Sequence, residues 1–537
     1  MNSHRMTRRE FLRSAGIGAT FLFGQPLWLG RVSLSSNPSA LSLDKEPIEP
    51  DAEISIIARD TTMQILPGAP TRVYTYEGKL LSGAGVTVDS IPGSYLGPIL
   101  RAQSGKKIRI VFRNNLIEKS VIHPHGFRVP PECDGSPTQA ISPGETKLYE
   151  FQVVDRAGPY WFHPHPMGRT AEQVLMGMAG LFHVWDPEEE RAIPGASTGA
   201  NDVPMVIQDR TFDRNNQILY QPNMMYGYLG NRILVNGKPD ATFALEPRAY
   251  RLRLLNGSNA RTYKLAWSNN MALRVIGTDG GLLSEPVSKN YVMLMPGERI
   301  DVWADFAALA GKSVTLRSLA FDPGGMGMMS GGMGGRGMMG GGMSGTGMMG
   351  STMGIGAPFD ILTVNVGTHA TSTPVLGLPP ALGMRYTVNN VPNYNSPRPF
   401  TLEMGHMMTW TINGRVYDMM AVADDEKVTR DEPIAWEWIN NSPIPHPMHI
   451  HNVQFKVVQR TPPAYSASYG TISDGLVDSG WKDTVLVWPG ERVKIAMTFT
   501  HYTGMYMYHC HILEHEDMTM MRNLMIVAPT MPTMPGM

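Results

Sequence analysis

Residues 296–303 read Pro-Gly-Glu-Arg-Ile-Asp-Val-Trp, a turn sequence that leads directly into a strand-like apolar segment. The same phrase, a Pro-Gly-Glu turn before a strand-like segment, recurs at 143–151 and at 489–496. The three copies begin 153 and 193 residues apart. A turn-and-strand unit that recurs at such intervals predicts three domains of similar plan.

The rest of the chain is also composed of short strand-like segments. Residues 107–112, 250–255 and 493–499 are alternating or β-branched, and Pro, Gly and Asn interrupt such segments closely. This pattern is typical of β-sandwiches, so we predict an all-β protein with three sandwich domains. The expected divisions are a leader at 1–45 and domains at 46–195, 196–370 and 371–537.

Composition argues against several classes of protein. The 537 residues include 46 Lys and Arg against 47 Asp and Glu, a balance that gives no sign of a nucleic-acid partner. Hydrophobic residues make up 42% of the chain, which is ample for buried cores. Two cysteines are too few for a disulfide scaffold or a cysteine-based zinc site. We expect a folded protein that is a monomer.

The N-terminus has the features of an export signal. Arg8 and Arg9 precede Phe-Leu and then an apolar run at 15–29, which is too short to cross a bilayer. This order of features predicts a leader for the twin-arginine pathway. We therefore expect a periplasmic or other extracytoplasmic protein whose mature form has no transmembrane segment.

A methionine-rich insertion interrupts the second predicted domain at 324–354. Its 31 residues include ten Met and fifteen Gly, with one charge, Arg336, and no aromatic residue. Such a segment cannot bury a core and is expected to be a mobile loop. A flexible spacer does not require methionine, whereas thioethers bind soft metals such as Cu(I), so the composition favours a metal role.

Ten of the 15 histidines lie in four short clusters. Alternate residues of a strand face the same side, so each His-x-His pair offers two imidazoles to one place, and imidazole suits copper, zinc, iron and nickel. The clusters contain His123 and His125; His163 and His165; His446, His449 and His451; and His509, His511 and His515.

The last cluster indicates which metal is bound. Cys510, His515 and Met520 supply a thiolate, an imidazole and a thioether, and His446 completes the ligand set of a blue-copper electron-transfer site. Eight clustered histidines remain, enough for one copper with two ligands and two coppers with three each. Four one-electron centres can deliver the four electrons that convert dioxygen to water.

Repeats place this second group of metals. The phrase Gly-x-Tyr-x-Phe-His-x-His at 158–165 resembles Gly-x-Tyr-x-Tyr-His-x-His at 504–511, and the second domain has no counterpart. The sequence therefore predicts a three-copper cluster between the first and third domains, with the second domain as a spacer.

These motifs resemble the multicopper oxidases, specifically the bacterial laccase and CueO-type cuprous oxidase branch, over about residues 50–530. The resemblance implies cupredoxin-like Greek-key domains and proton delivery by Glu516 and Asp134. Both carboxylates also have simpler interpretations, Asp134 as part of a turn and Glu516 as a solvated charge. The implied copper ligands are His446, Cys510, His515 and Met520 at type 1; His123 and His449 at type 2; and His125, His163, His165, His451, His509 and His511 at the type 3 pair.

The resemblance implies an oxidase with dioxygen as acceptor and leaves its reductant open. The methionine-rich insertion favours Cu(I), and Fe(II), phenols or aromatic amines are the alternative donors. A non-enzymatic exported protein of the same fold, or a copper-storage protein, is less consistent with the complete ligand set. Cys133 has no partner cysteine to spare and is expected to be a buried thiol.

Overall fold

The computed structural model describes residues 49–324, 354–370, 377–383, 387–464 and 467–530. The predicted leader and nearly all of the methionine-rich insertion lie outside the described residues. Strands dominate what is described, as the sequence predicted. The first stretch contains nine strands: β1 (Ala52–Met63), β2 (Thr71–Gly83), β3 (Val86–Asp89), β4 (Ile99–Gln103), β5 (Lys107–Asn115), β6 (His123–His125), β7 (Thr146–Gln152), β8 (Gly158–His163) and β9 (Gly180–Trp185).

A second stretch of strands follows two short helices, α1 (Thr170–Met176) and α2 (Pro187–Ala192). Its strands are β10 (Asp202–Arg210), β11 (Arg232–Val235), β12 (Lys238–Pro239), β13 (Thr242–Leu245), β14 (Ala249–Asn256), β15 (Tyr263–Trp267), β16 (Leu273–Thr278), β17 (Gly281–Lys289), β18 (Val292–Leu294), β19 (Arg299–Asp305), β20 (Ser313–Ser318) and β21 (Phe359–Val366). We call residues 202–366 the middle stretch.

The third stretch contains the remaining strands and helices α3 (Ala467–Gly470) and α4 (Leu513–Asp517). The strands are β22 (Arg398–Met404), β23 (Trp410–Ile412), β24 (Lys427–Thr429), β25 (Pro433–Asn440), β26 (His446–Ile450), β27 (Phe455–Thr461), β28 (Thr484–Val487), β29 (Arg492–Thr498), β30 (Gly504–Cys510) and β31 (Met521–Val527).

The described residues form six sheets, two from each stretch. Their strand orders are β2-β1-β5-β7 and β3-β4-β9-β8-β6, then β12-β11-β10-β14-β19-β16-β17 and β13-β21-β20-β15-β18, and finally β23-β22-β25-β29-β27 and β24-β31-β30-β26-β28. Alternate residues of strands such as β1 are buried, because successive side chains point to opposite faces. The all-β prediction is confirmed, and the exact boundaries near 195 and 370 stay predictions.

The three repeated turns lead into β7, β19 and β29. Their glycines, Gly144, Gly297 and Gly490, have φ values of 81°, 82° and 75°. These left-handed values favour glycine and explain why the turn keeps its sequence. Among the described residues, no helix is long and apolar enough to cross a membrane.

Candidate metal centre

The thiol of Cys510 lies at the end of β30, which pairs antiparallel with β26. This pairing brings His446 Nδ1 to 3.3 Å from the Cys510 sulfur, and α4 brings His515 Nδ1 to 3.7 Å from it. All three side chains are buried, and burial raises the pKa of the thiol. A buried thiol between two imidazoles fits a metal that binds thiolate.

The outer nitrogens of the two imidazoles are held by uncharged groups. His446 Nε2 lies 2.8 Å from the Ser442 hydroxyl, and His515 Nε2 lies 3.0 Å from the carbonyl oxygen of Met225. A proton on His515 Nε2, which that carbonyl requires, leaves Nδ1 with its lone pair directed at the sulfur. The Trp410 ring packs on His515 with ring centroids 4.3 Å apart.

Met520 is fully buried beside this site. Its backbone N–H donates to the carbonyl of His515 at 2.8 Å, and its carbonyl accepts from Cys510 N–H at 3.1 Å. The preceding residue, Thr519, has φ of 78°, a left-handed value that is unusual for a β-branched residue. The backbone thus holds Met520 next to both predicted ligands.

Eight further histidines form one buried cluster. The sequence motifs predicted that these eight would serve three metals. In β6 and β8, His123 is paired with His163, and in β26 and β30, His449 is paired with His509. The two strand pairs interleave their rings: His125 stacks on His449 with centroids 3.8 Å apart, and His123 stacks on His451 at 3.9 Å. Donor atoms within 4.8 Å of one another define the groups His123, His125 and His449; His125, His163 and His511; and His165, His451 and His509.

Imidazole nitrogens approach one another closely inside these groups. His451 Nε2 and His509 Nε2 are 3.1 Å apart, and His165 Nε2 is 3.3 Å from the same His509 atom. Among the described residues, His123 Nε2 and His449 Nε2 have no hydrogen-bond partner. Burial lowers the pKa of His123, His125, His163, His165, His449, His509 and His511. Neutral, buried lone pairs that face one another fit metal cations.

Comparison with known proteins agrees with this geometry. Models of the multicopper oxidase family match residues 73–189 and 392–529. The multicopper oxidase Mco of Staphylococcus aureus is 31% identical over 442 residues, which cover 81% of this chain and 83% of that protein. This chain belongs to the multicopper oxidase family.

Two further proteins are similar to this chain. The laccase of Bacillus subtilis is 29% identical over 522 residues, covering 86% of this chain and 91% of that protein. A multicopper oxidase structure from Campylobacter jejuni, described as a metallo-oxidase, matches with a TM-score of 0.68 and 25% identity over 89% of this chain and 91% of that chain. The chain is therefore an oxidase with copper as cofactor and dioxygen and a reductant as substrates, and its buried donor groups fit copper.

Carboxylates lie close to outer nitrogens of the multicopper oxidase's histidine cluster. Asp134 Oδ2 accepts from His451 Nδ1 at 2.9 Å. The two oxygens of Glu516 lie 3.3 Å from His165 Nδ1 and 3.3 Å from His509 Nδ1. Glu516 is fully buried, and burial, followed by the nearby charge of Asp517, raises the pKa of its carboxyl well above the usual range. The simpler interpretation of Glu516 as a solvated charge is wrong.

Sequence reasoning missed a third carboxylate, Asp483, whose Oδ1 lies 3.0 Å from His125 Nε2. The sequence also predicted that the second domain is a spacer. This prediction is wrong at Arg299 of the middle stretch, whose Nη2 donates to Asp483 Oδ2 at 2.5 Å. The arginine after Pro-Gly-Glu gave no signal of this contact, because Arg492 holds the same place in the third copy and its side chain is half exposed. Cys133 is buried, as expected, and forms no disulfide with Cys510.

Proposed function

We propose that this multicopper oxidase oxidises Cu(I) at the Cys510 site and reduces dioxygen to water at the histidine cluster, coupling four one-electron steps to one four-electron step. The observation that carries the proposal is that one buried Cys–His–His group lies beside an eight-histidine cluster. Cys510 is bonded directly to His509 and His511, so the two centres are linked by a single residue.

The proposed ligand sets follow the direction in which each lone pair points. His446, Cys510 and His515 would hold one copper, with the Met520 thioether as a weaker fourth donor, a ligand set that is typical of type 1. His123 and His449 offer unpartnered Nε2 atoms to type 2, because their Nδ1 atoms hydrogen-bond with the carbonyls of Asp134 and Asp483. The type 3 pair is assigned to His125, His163 and His511 for one ion and His165, His451 and His509 for the other.

Copper bound in these groups supplies one-electron redox chemistry that protein side chains lack. The chain's own contribution is to hold and orient. Burial of all the ligand side chains excludes water, and hydrogen bonds on the outer nitrogens of His123, His446 and His449, among others, keep those imidazoles in one orientation. Reduction of dioxygen to water also consumes protons. We assign their delivery to Glu516 and Asp134, because both carboxylates are buried against cluster histidines.

Two features support Cu(I) as the reductant. The insertion at 324–354 supplies ten thioethers, which bind Cu(I) without losing a proton. Exposed methionines also lie around the outer edge of the type 1 group: Met224, 55% exposed, accepts a hydrogen bond from Trp410 through its carbonyl, and Met407, 85% exposed, precedes Trp410 in the turn between β22 and β23. Trp410 in turn packs on His515.

The test is to compare oxidation of Cu(I) and of a phenol by purified, copper-loaded protein. A variant in which the ten methionines of 324–354 become serine keeps the length of the insertion and should oxidise low concentrations of Cu(I) several-fold more slowly. Its copper content should be unchanged. Its rate of phenol oxidation should be unchanged or increased. A control variant replaces the five serine and threonine residues of the same segment by alanine. Equal Cu(I) kinetics in the methionine variant would reject Cu(I) collection by the insertion.

An organic reductant is the second candidate, supported by the likeness to the Bacillus subtilis laccase. A wild-type protein that oxidises phenols readily and Cu(I) slowly would favour it. We also propose export through the twin-arginine pathway, on the evidence of Arg8, Arg9 and the apolar run after them. Lysine at both arginine positions should retain the protein in the cytoplasm, as cell fractionation would show.

A further inference from the structure

A fully buried arginine–aspartate pair lies against the histidine cluster. Arg299, at the start of β19, donates from Nη1 to Asp483 Oδ1 at 2.7 Å and from Nη2 to Asp483 Oδ2 at 2.5 Å. The exposed fractions of the two side chains are 1% and 0%. Paired N–H···O bonds of this kind fix both the position and the rotation of a carboxylate.

Asp483 passes this orientation on to two cluster histidines. Its Oδ1 lies 3.0 Å from His125 Nε2, and its backbone carbonyl lies 2.8 Å from His449 Nδ1. With Nε2 held by the carboxylate, His125 turns Nδ1 inward, 3.4 Å from His163 Nε2. His449 is held at Nδ1 and turns Nε2 inward instead. The Thr484 hydroxyl, which donates to Asp483 Oδ1 at 3.0 Å, also lies 3.3 Å from His125 Nε2, so both groups face that nitrogen and leave Nδ1 towards the metal group.

Arg299 is itself held rigidly. Its Nε donates to the Pro159 carbonyl at 2.9 Å, Nη1 also donates to the Gly297 carbonyl at 3.0 Å, and Nη2 also donates to the Asp279 carbonyl at 3.2 Å. Its backbone N–H donates to Asp279 Oδ1 at 2.8 Å. A guanidinium with all these donors occupied has one position, so it can serve as a reference point for Asp483.

The turn that carries Arg299 is fitted to the cluster, unlike the other two copies. A Cβ added to Gly297 would lie 2.9 Å from ring atoms of His511, whereas a Cβ on Gly144 would enter open space. In the third copy, Arg492 is half exposed and pairs with Glu437. Gly126, which follows His125, is equally constrained, because a Cβ there would lie 2.4 Å from Asp483 Oδ2.

The cluster's carboxylates are divided unevenly between the two groups assigned to the type 3 pair. Asp134 and Glu516 lie against His451, His165 and His509 of one group. In the group of His125, His163 and His511, Asp483 is the one carboxylate that contacts a ligand among the described residues. His163 Nδ1 contacts a backbone carbonyl, and neither nitrogen of His511 has a hydrogen-bond partner in that part of the chain.

We infer that Arg299 and Asp483 are positioning residues that set the orientation of His125 and thereby the retention of copper by the group of His125, His163 and His511. The middle stretch thus takes part directly in the cluster. The inference rests on the proposed copper assignment. It concerns metal retention, which can be measured without turnover.

The test measures total copper per chain and blue absorption per chain during dialysis against a chelator. Asp483→Asn keeps the side chain's size but has one accepting oxygen in place of two, so it cannot accept from His125 and from both Arg299 nitrogens at once. It should lose cluster copper roughly 10–100-fold faster than wild type, the usual effect of removing an outer partner of a metal ligand. Blue absorption should be unchanged, because Cys510, His446 and His515 do not contact Asp483. Arg299→Lys keeps the charge without the paired bonds and should show a smaller effect in the same direction.

Arg253 and Asp301 provide the matched control. Asp301 lies on the same strand as Arg299, is equally buried, and accepts from Arg253 Nε and Nη2 at 3.1 and 3.0 Å. In the part of the chain that the structure describes, no histidine forms a hydrogen bond or ion pair with Asp301. Asp301→Asn and Arg253→Lys should lower the melting temperature without accelerating copper loss. Equal copper loss in both pairs, or wild-type copper retention in Asp483→Asn and Arg299→Lys, would overturn the inference. A wild-type protein that takes up no copper or is not blue would instead refute the proposed function.

Discussion

The Cys510 group and the histidine cluster are bonded neighbours, yet their surroundings differ in charge. The outer nitrogens of His446 and His515 meet a hydroxyl and a backbone carbonyl. In the cluster, carboxylates lie against His125, His165 and His451, among others. Uncharged surroundings suit a site that passes electrons only. Carboxylates suit a site where protons are consumed, because they can carry protons and make imidazole a stronger donor.

Cys510→Ser should have the largest effect and tests whether the two centres are separable. Serine oxygen is a poor ligand for copper. The substitution also removes the sulfur from which the short covalent path to His509 and His511 begins. The blue absorption and nearly all oxidase turnover should disappear, while cluster copper stays. Metal analysis and an absorption spectrum check this, with Cys133→Ser as the control that should remain blue. Loss of all copper would mean that the two centres are not independent.

His451→Ala should disable the histidine cluster and leave the Cys510 group intact. It removes one proposed type 3 ligand and leaves Cys510, His446 and His515 untouched. The variant should be blue and accept electrons, yet dioxygen should no longer reoxidise it, which anaerobic reduction followed by admission of air would show. The exposed His406 offers a control, since His406→Ala should reoxidise at the wild-type rate.

Glu516→Gln keeps the shape of the side chain and removes its ability to gain and lose a proton. Turnover should fall by about 100-fold or more, because a positioned proton carrier contributes roughly 10²–10⁴-fold. Blue absorption and copper content should be retained. Glu514 is a buried carboxylate on the same helix that accepts from Asn259 at 2.8 Å, so Glu514→Gln is the matched control. If both variants lose turnover equally, proton delivery by Glu516 is not supported.

Met520→Leu removes a weak axial ligand without changing volume greatly. The site should stay blue and become a stronger oxidant, since loss of thioether donation disfavours Cu(II). A redox titration measures the shift in potential. An unchanged potential would point to Met518 or Met521, the neighbouring methionines, as the axial group.

Ser442→Ala should have the smallest effect. It removes one hydrogen bond from His446 Nε2, worth about 1 kcal/mol, and leaves no charged partner behind. We expect a change of less than about tenfold in turnover and a small shift of the type 1 potential. An effect as large as that of Glu516→Gln would contradict the view that neutral contacts matter less than carboxylates here.

Much of the architecture is predictable because it rests on local rules. Period-two alternation and Pro-Gly turns predict strands such as β5, β14 and β29, and the structure confirms them. The types of metal donor were equally visible, since His-x-His on a strand points both rings to one side. The structure brings all of these histidines together, while their division among individual coppers stays a prediction.

The sequence by itself determined the strand content, the donor chemistry and the family, because each depends on residues close together in the chain. Only the tertiary structure decided what surrounds the donors. Arg299 and Asp483 are 184 residues apart, and Asp483 and His125 are 358 apart, so no local spacing relates them. Their contacts depend on how separate sheets pack, and side chains from all three stretches meet at that one point.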